Sequence, residues 1–234
     1  IEHGADIVIN YLTKWMGGHG AAIGGFVTAA GTFDWYDPKF SLFTQPDKNY
    51  HGLRWAIDLP EELRKIAFAL RFRTVPLRNL GACLSPDNAW LFIQGIETLH
   101  LRMPRHSENA LEVAKFLQKH PAVAWVRYPG LPEDPSYPTA SKYLSRGFGG
   151  MVVFGVKGGK TAGERFIDKL RLFSHLANVG DAKSLALHPA STSHSQLTEE
   201  QQRSGGLTPD LVRLSIGLED IRDIIADLDQ ALSM

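Results

Sequence analysis

In the stretch Ile7-Val8-Ile9-Asn10-Tyr11-Leu12-Thr13-Lys14-Trp15-Met16-Gly17-Gly18-His19-Gly20, an apolar, β-branched run ends at a lysine, and a cluster of glycines follows. The run predicts a strand and the glycines an open, tight loop. A lysine at such a junction has its ammonium held near the end of a rigid element. Thr13 adds a hydroxyl beside it, and backbone without Cβ atoms lets a ligand approach closely. These are the requirements of an amine that condenses with a carbonyl group next to a bound phosphate. Taken alone, Thr13-Lys14 is a weak signal, because most lysines after strands are solvated surface residues, so the rest of the chain has to decide.

Composition narrows the classes. The 234 residues can bury a substantial core, and 44% hydrophobic with 21% charged residues is ordinary for a globular protein. Lys+Arg and Asp+Glu balance at 25 each, and no basic stripe carries interleaved aromatics, so neither nucleic acid nor an anionic membrane is an expected partner. The weakly polar stretch from Ala21 to Gly31 is too short and glycine-rich to span a bilayer. Cys83 has no partner for an internal disulfide, which fits a reducing, cytoplasmic setting.

Outward from the lysine, a second strand is expected over Gly24–Thr28, then a long ordered loop over residues 33–60 around Trp35 and Trp55. Helical spacing places Leu63, Ile66, Ala67 and Leu70 on one face of a helix over Glu61–Arg73. Ser85 caps the next helix, with Pro86 in its first position. Its apolar period runs through Trp90, Ile93 and Leu101, and Pro104 predicts a kink or a junction of two helices before the pattern stops at Pro121. Beyond 122 the elements shorten and alternate: strands at Val123–Tyr128, Gly150–Val156, Ser184–Leu187 and Leu211–Ile216, and helices at Thr139–Leu144, Ala162–Phe173 and Glu219–Leu232. Strands alternating with helices predict an α/β layered domain.

Several motifs fail on inspection. Gly155-Val156-Lys157-Gly158-Gly159-Lys160-Thr161 resembles a phosphate loop, but Phe154 occupies the position of the required first glycine, leaving a strand-to-helix turn. His100/His106 and His188/His194 are six residues apart, without helical ligand spacing or a cysteine partner, so no metal is expected. No Gly-x-Ser-x-Gly elbow is present.

Arg213 is more informative. In Leu211-Val212-Arg213-Leu214-Ser215-Ile216, alternation puts Val212, Leu214 and Ile216 on one face and Arg213 with Ser215 on the other. An arginine in an apolar strand needs an anionic partner. Local sequence favours an ion pair with Glu219 or Asp220; the other candidate is a bound carboxylate. Asn178-Val179-Gly180-Asp181 is a turn by composition, with a side-chain amide able to donate to an anion.

In this order the pieces resemble the Cys/Met-metabolism family of pyridoxal-phosphate enzymes, which contains the trans-sulfuration enzymes. The resemblance runs from Gly4-Ala5-Asp6 and Thr13-Lys14-Trp15 through Tyr50-His51-Gly52, Leu80-Gly81-Ala82-Cys83-Leu84-Ser85-Pro86 and Gly95-Ile96-Glu97-Thr98-Leu99. It continues through Leu101-Arg102-Met103, Gly149-Gly150-Met151, Asn178-Val179-Gly180-Asp181-Ala182, His188-Pro189-Ala190-Ser191 and Leu211–Gly217. The Asn178 and Gly81 segments are most similar to the O-acetylhomoserine sulfhydrylases of that family.

The resemblance implies an aspartate aminotransferase-like fold of type I. Residues 1–85 would end a large cofactor domain, 86–119 form a kinked connecting helix, and 120–234 make a small C-terminal α/β domain. It also implies that Lys14 carries pyridoxal 5'-phosphate through a Schiff base and moves protons, and that Thr13 binds the phosphate. Arg213 and Asn178 would hold the substrate carboxylate. The implied activity is γ-replacement on O-acetylhomoserine by sulfide or a thiol, giving homocysteine or a related amino acid, in a homodimer or homotetramer with shared active sites. γ-Elimination, and γ-replacement with a carbon or amine nucleophile, are the neighbouring alternatives. Two departures stand out. Tyr11 occupies the usual place of a phosphate-binding serine, and Ile1 begins in mid-fold, so the expectation is the C-terminal part of a longer enzyme. A segment with only a structural or assembly role is the alternative of another class.

Overall fold

Val152, Phe154 and Val156 alternate with Met151, Val153 and Gly155 along one strand, and the first three are buried while a period-2 repeat sends their neighbours to the opposite face. That strand, β4 (Met151–Val156), pairs antiparallel with β3 (Val123–Arg127) on one side and β7 (Leu211–Ser215) on the other. Strand β6 (Leu185–Leu187) continues antiparallel from β7, and β5 (Ser174–His175) adds a parallel edge, giving the order β3-β4-β7-β6-β5. The computed structural model describes residues 1–233.

The chain divides into two compact units. One comprises Ile1–Leu12 and Gly24–Ala89; the other comprises Thr13–Ile23 together with the chain from Trp90 onward, and holds the five-stranded sheet.

In the sheet-bearing unit, helices pack on the face carrying Val152, Phe154, Val212 and Leu214. The helices from Pro86 onward are α1 (Pro86–Glu97), α2 (Leu99–Lys119), α3 (Tyr137–Tyr143), α4 (Gly159–Lys169), α5 (Glu199–Ser204) and α6 (Ile221–Leu232). Of these, α2, α4 and α6 supply the core with Ala110, Val113, Leu117, Phe166, Ile224 and Leu228. Each large side chain so buried stabilises the fold by about 1.5–3 kcal/mol. Asp227 on α6 fixes the exit from α4: its buried carboxylate accepts from the backbone amides of Arg171 (2.9 Å), Leu172 (2.8 Å) and Phe173 (3.2 Å). This ends α4 at Lys169, short of the Phe173 expected from sequence, while Gly158 at φ +107° starts it early, directly after the β4 turn.

The expected kink at Pro104 is a break at Thr98 instead, with Pro104 inside α2. The Thr98 hydroxyl donates back to the Gly95 carbonyl (3.3 Å), competing with the helical ladder where α1 ends. The apolar period through Trp90, Ile93 and Leu101 marks an exposed face, Trp90 at 61% and Leu101 at 65%, whereas Phe92 and Gly95 are buried. Ser85 does cap α1, its hydroxyl accepting from the Asn88 amide at 3.1 Å.

In the other unit, β1 (Ile7–Tyr11) pairs antiparallel with β2 (Gly25–Ala29), from Ile7 opposite Ala29 to Tyr11 opposite Gly25. The segment expected as a long loop is ordered by aromatic packing: Trp35 stacks on Phe43 (4.3 Å) and Phe68 (5.6 Å), and buried Trp55 donates its indole N–H to Asp47 (3.0 Å). The single helix expected over Glu61–Arg73 is two, Glu61–Arg64 and Ala67–Phe72. The chain tightens to an Ile66-to-Leu63 bond between them, which leaves Leu63 and Ile66 exposed. Among the described residues no helix is long and apolar enough to cross a membrane.

Candidate active site

The second face of the five-stranded sheet, opposite the core, carries Arg213 and Ser215 of β7. Ser215 is buried, and its hydroxyl accepts from the Gly180 amide at 2.9 Å, which fastens the Asn178–Asp181 turn to the strand. The Arg213 guanidinium reaches the same turn and donates to the Asn178 carbonyl at 3.4 Å. Partial burial lowers the Arg213 pKa from its ordinary value, although a guanidinium stays charged.

The ion pair that local sequence favoured for Arg213 does not form. The Glu219 carboxylate accepts from the Ser184 amide (2.7 Å) and hydroxyl (2.9 Å), and Asp220 pairs with Arg222 (2.8 Å). Both acids are taken by these partners, so the cationic fork on β7 is left for another anion. Among the described residues no ion pair to Arg213 is present.

Lys14 lies on the irregular turn Leu12–Met16 with φ −91° and ψ −126°, outside helical geometry. Its Nζ donates to Asn178 Oδ1 at 2.6 Å. Asn178 therefore touches both candidate residues, through its side chain to Lys14 and through its carbonyl to Arg213. The turn is pinned from several sides. Gly18 N donates to Lys14 O (2.7 Å), and Ala182 N donates to Gly18 O (2.8 Å).

Trp15 seats the loop sideways. Its indole meets the buried His106 ring edge-on at 4.9 Å, and it fills a slot left by two glycines. A Cβ on Gly150 would come within 2.7 Å of the indole, and one on Gly180, which has φ +77°, within 2.8 Å. His106 Nδ1 donates to the Ile216 carbonyl (2.6 Å), while Nε2 has no partner. Burial pushes the His106 pKa down, so the ring is held neutral, with Nδ1 as the donor to Ile216.

Thr13 stands elsewhere. It lines a cavity of about 380 Å³ with Gly17, His19, Gly20 and Thr98, and neither Lys14, Asn178 nor Arg213 forms its wall. The structure thus brings Lys14, Asn178 and Arg213 into one chain of contacts and sets Thr13 on a neighbouring surface. Tyr11 is exposed on β1.

Sequence reasoning passed over Arg102, Trp15 and His106 as participants. A signal was present for two of them. Arg102 and His106 fall on the stripe Arg102, His106, Asn109, Ala110, Val113, Leu117, which is the buried face of α2, and a cation on such a face must be satisfied from another element. Trp15 carried none, because the glycines that receive it lie 135 and 165 residues away.

A family model for Cys/Met metabolism PLP-dependent enzymes matches residues 1–233. An O-acetyl-L-homoserine sulfhydrylase from Leptospira meyeri is 56% identical over 99% of this chain and 54% of its own length. A homocysteine synthase from Schizosaccharomyces pombe is 48% identical over 100% of this chain and 54% of its own. A solved structure from Campylobacter jejuni, assigned as an O-acetylhomoserine (thiol)-lyase and containing a pyridoxyl-lysine phosphate, superposes with a TM-score of 0.90 at 41% identity, over 100% of this chain and 55% of that one. The chain spans about half the length of the curated relatives it matches.

Proposed function

The chain belongs to the Cys/Met metabolism family of pyridoxal-phosphate-dependent enzymes, and on that footing we propose that the whole protein carries out γ-replacement on O-acetylhomoserine, with sulfide or a thiol as nucleophile, to give homocysteine or a related amino acid. The observation that carries this reading is the continuous contact Lys14–Asn178–Arg213 on the open face of the sheet. The donor set fits the cofactor: a primary amine for an aldehyde and a guanidinium without an acid partner for the amino-acid carboxylate, with Thr13 on the adjoining cavity as the hydroxyl for a phosphate.

When bound, pyridoxal phosphate supplies an aldehyde and an electron-withdrawing ring. The chain's own groups do the rest. Arg213 grips the substrate carboxylate by its planar fork, with the Asn178 amide as a second donor, and this two-point hold sets the direction of the Cα–H bond. Lys14 Nζ, steered by Asn178 Oδ1, removes the Cα proton and serves again at Cβ. Acetate leaves from Cγ, and the sulfur nucleophile adds at that carbon. The protein on this reading is a cytoplasmic homodimer or homotetramer; the exposed apolar row of Trp90, Ile93 and Leu101 supports association.

The test is to incubate the protein carrying this chain with pyridoxal phosphate and O-acetylhomoserine, with and without sulfide. Homocysteine formed only with sulfide is the expected result. Release of 2-oxobutanoate without an acceptor would replace the proposal with γ-elimination, and no turnover with borohydride label scattered over surface lysines would leave a structural role.

A further inference from the structure

We propose that Arg102 is a positioning residue for Lys14: its buried guanidinium replaces regular secondary structure as the support of the backbone immediately after the reacting amine. The proposal rests on the reading of Lys14 given above.

Arg102 is 5% exposed, and among the described residues no carboxylate pairs with it. Its hydrogen bonds go to neutral oxygens. Nη1 donates to Trp15 O (2.8 Å), and Nη2 donates to Met16 O (3.2 Å) and Gly95 O (2.6 Å). Nε donates to the Thr98 hydroxyl (3.1 Å). One rigid fork therefore ties together the two carbonyls directly following Lys14, the last turn of α1, and the break between α1 and α2. Desolvation pulls the Arg102 pKa below its ordinary value, which marks the burial as unfavourable for the charge itself. An apolar side chain of similar volume would fill this position without that penalty, but it would leave the carbonyls of the turn unpaired.

The surroundings are shaped to this one side chain. A Cβ on Gly18, which has φ +71°, would fall within the space of the Arg102 guanidinium. A Cβ on Gly95 would press on the backbone of Met16 and Gly17, forcing the helix and the loop apart. Glycine at both places lets the turn approach α1 closely enough for a single guanidinium to span them. The need is local: Lys14 has non-helical backbone angles, and beyond the bond from Gly18 N to its carbonyl it is the two carbonyls after it, held by Arg102, that set the direction from which Nζ starts. An amine that must reach both a cofactor aldehyde and a substrate Cα loses rate when its backbone wanders by a fraction of an ångström. A lysine at 102 keeps the charge and the stem but cannot present the fork to three carbonyls at once.

The experiment compares wild type, R102K and T98V in the complete protein. For each, the rate at which borohydride traps pyridoxal phosphate on the Lys14 peptide, the pH midpoint of the bound cofactor's absorbance change, kcat, KM for O-acetylhomoserine and the melting temperature are measured. R102K is expected to bind cofactor, trap it about ten- to a hundred-fold more slowly, shift the absorbance midpoint and lower kcat by a similar factor, with KM nearly unchanged. T98V, which removes the hydroxyl that accepts from Arg102 Nε and donates to Gly95 O, is expected to move the same readings a few-fold in the same direction. If R102K melts earlier but keeps the wild-type trapping rate and absorbance midpoint, Arg102 only stabilises the fold and the proposal is overturned. Should R102K fail to fold, T98V decides by the same readings, and wild-type values for it overturn the proposal. Failure to label Lys14 in wild type would instead overturn the functional reading on which this rests.

Discussion

Lys14 Nζ and Asn178 Oδ1 lie 2.6 Å apart although 164 residues separate them in the chain. The contact makes Asn178 a junction. Its side-chain oxygen accepts from the lysine, its backbone oxygen accepts from Arg213, and its amide nitrogen stays available to an incoming carboxylate. One residue can thus register the position of the base against the position of the substrate's carboxylate.

Replacing the amine tests the centre of this arrangement. K14A in the complete protein should lose turnover by at least about a thousandfold, since both the covalent attachment point and the proton carrier go. Peptide mapping after borohydride reduction should find no pyridoxyl label at position 14 and no compensating site.

The carboxylate clamp makes a different prediction. R213Q removes a charged donor worth about 1.5–3 kcal/mol per hydrogen bond, so kcat/KM should fall about ten- to a hundred-fold or more. The same variant should show little loss on a substrate analogue lacking the carboxylate. An equal loss on both substrates would mean that Arg213 holds the strand rather than the ligand.

His106 sets a pH dependence of stability. Its neutral ring is buried against Trp15, and desolvation holds the folded pKa below the ordinary 6.5. Below about pH 6.5 the unfolded chain binds the proton more readily than the folded one, so stability falls as pH drops from there toward the lowered folded value, and is unaffected by this group above it. H106N keeps an amide donor for Ile216 O but cannot titrate. Urea unfolding at pH 7.5 and 5.5 should show a smaller acid-induced loss in H106N than in wild type.

The slot for Trp15 can be probed with two glycines of similar backbone conformation. Gly180 has φ +77° and Gly159 φ +70°, so alanine at either costs about 1 kcal/mol for the left-handed backbone. Only at 180 would the new Cβ also meet Trp15, at 2.7 Å from its backbone nitrogen, whereas at 159 nothing lies within 4 Å. G180A should therefore be more destabilised than G159A by about 1–3 kcal/mol in denaturant unfolding, and only G180A should slow labelling of Lys14.

Periodicity made much of the fold readable in advance. Val212, Leu214 and Ile216 are buried and Arg213 is not, as alternation required, and the strand-to-helix turn after β4 is the one that Phe154 dictated by spoiling the phosphate-loop spacing. The readings that failed share a cause. The helix over Glu61–Arg73 and the apolar face through Trp90 and Leu101 were inferred from side chains alone, whereas hydrogen bonds of Ile66 and Thr98 break those helices and packing buries Phe92 instead.

The amino-acid sequence by itself determined the alternation of strands and helices, the lysine at a strand end before glycines, and the arginine on the strand face opposite Val212, Leu214 and Ile216. These follow from repeats of two and 3.6 residues and from backbone preferences, which act over a few positions. Only the tertiary structure decided what the charges meet. Glu219 and Asp220, close to Arg213 in sequence, turn to Ser184 and Arg222; Asn178 comes to Lys14 from far along the chain; Arg102 finds the carbonyls of Trp15 and Met16. A charged group's partner is set by which elements the core packs side by side, and that long-range choice leaves no mark on spacing along the chain.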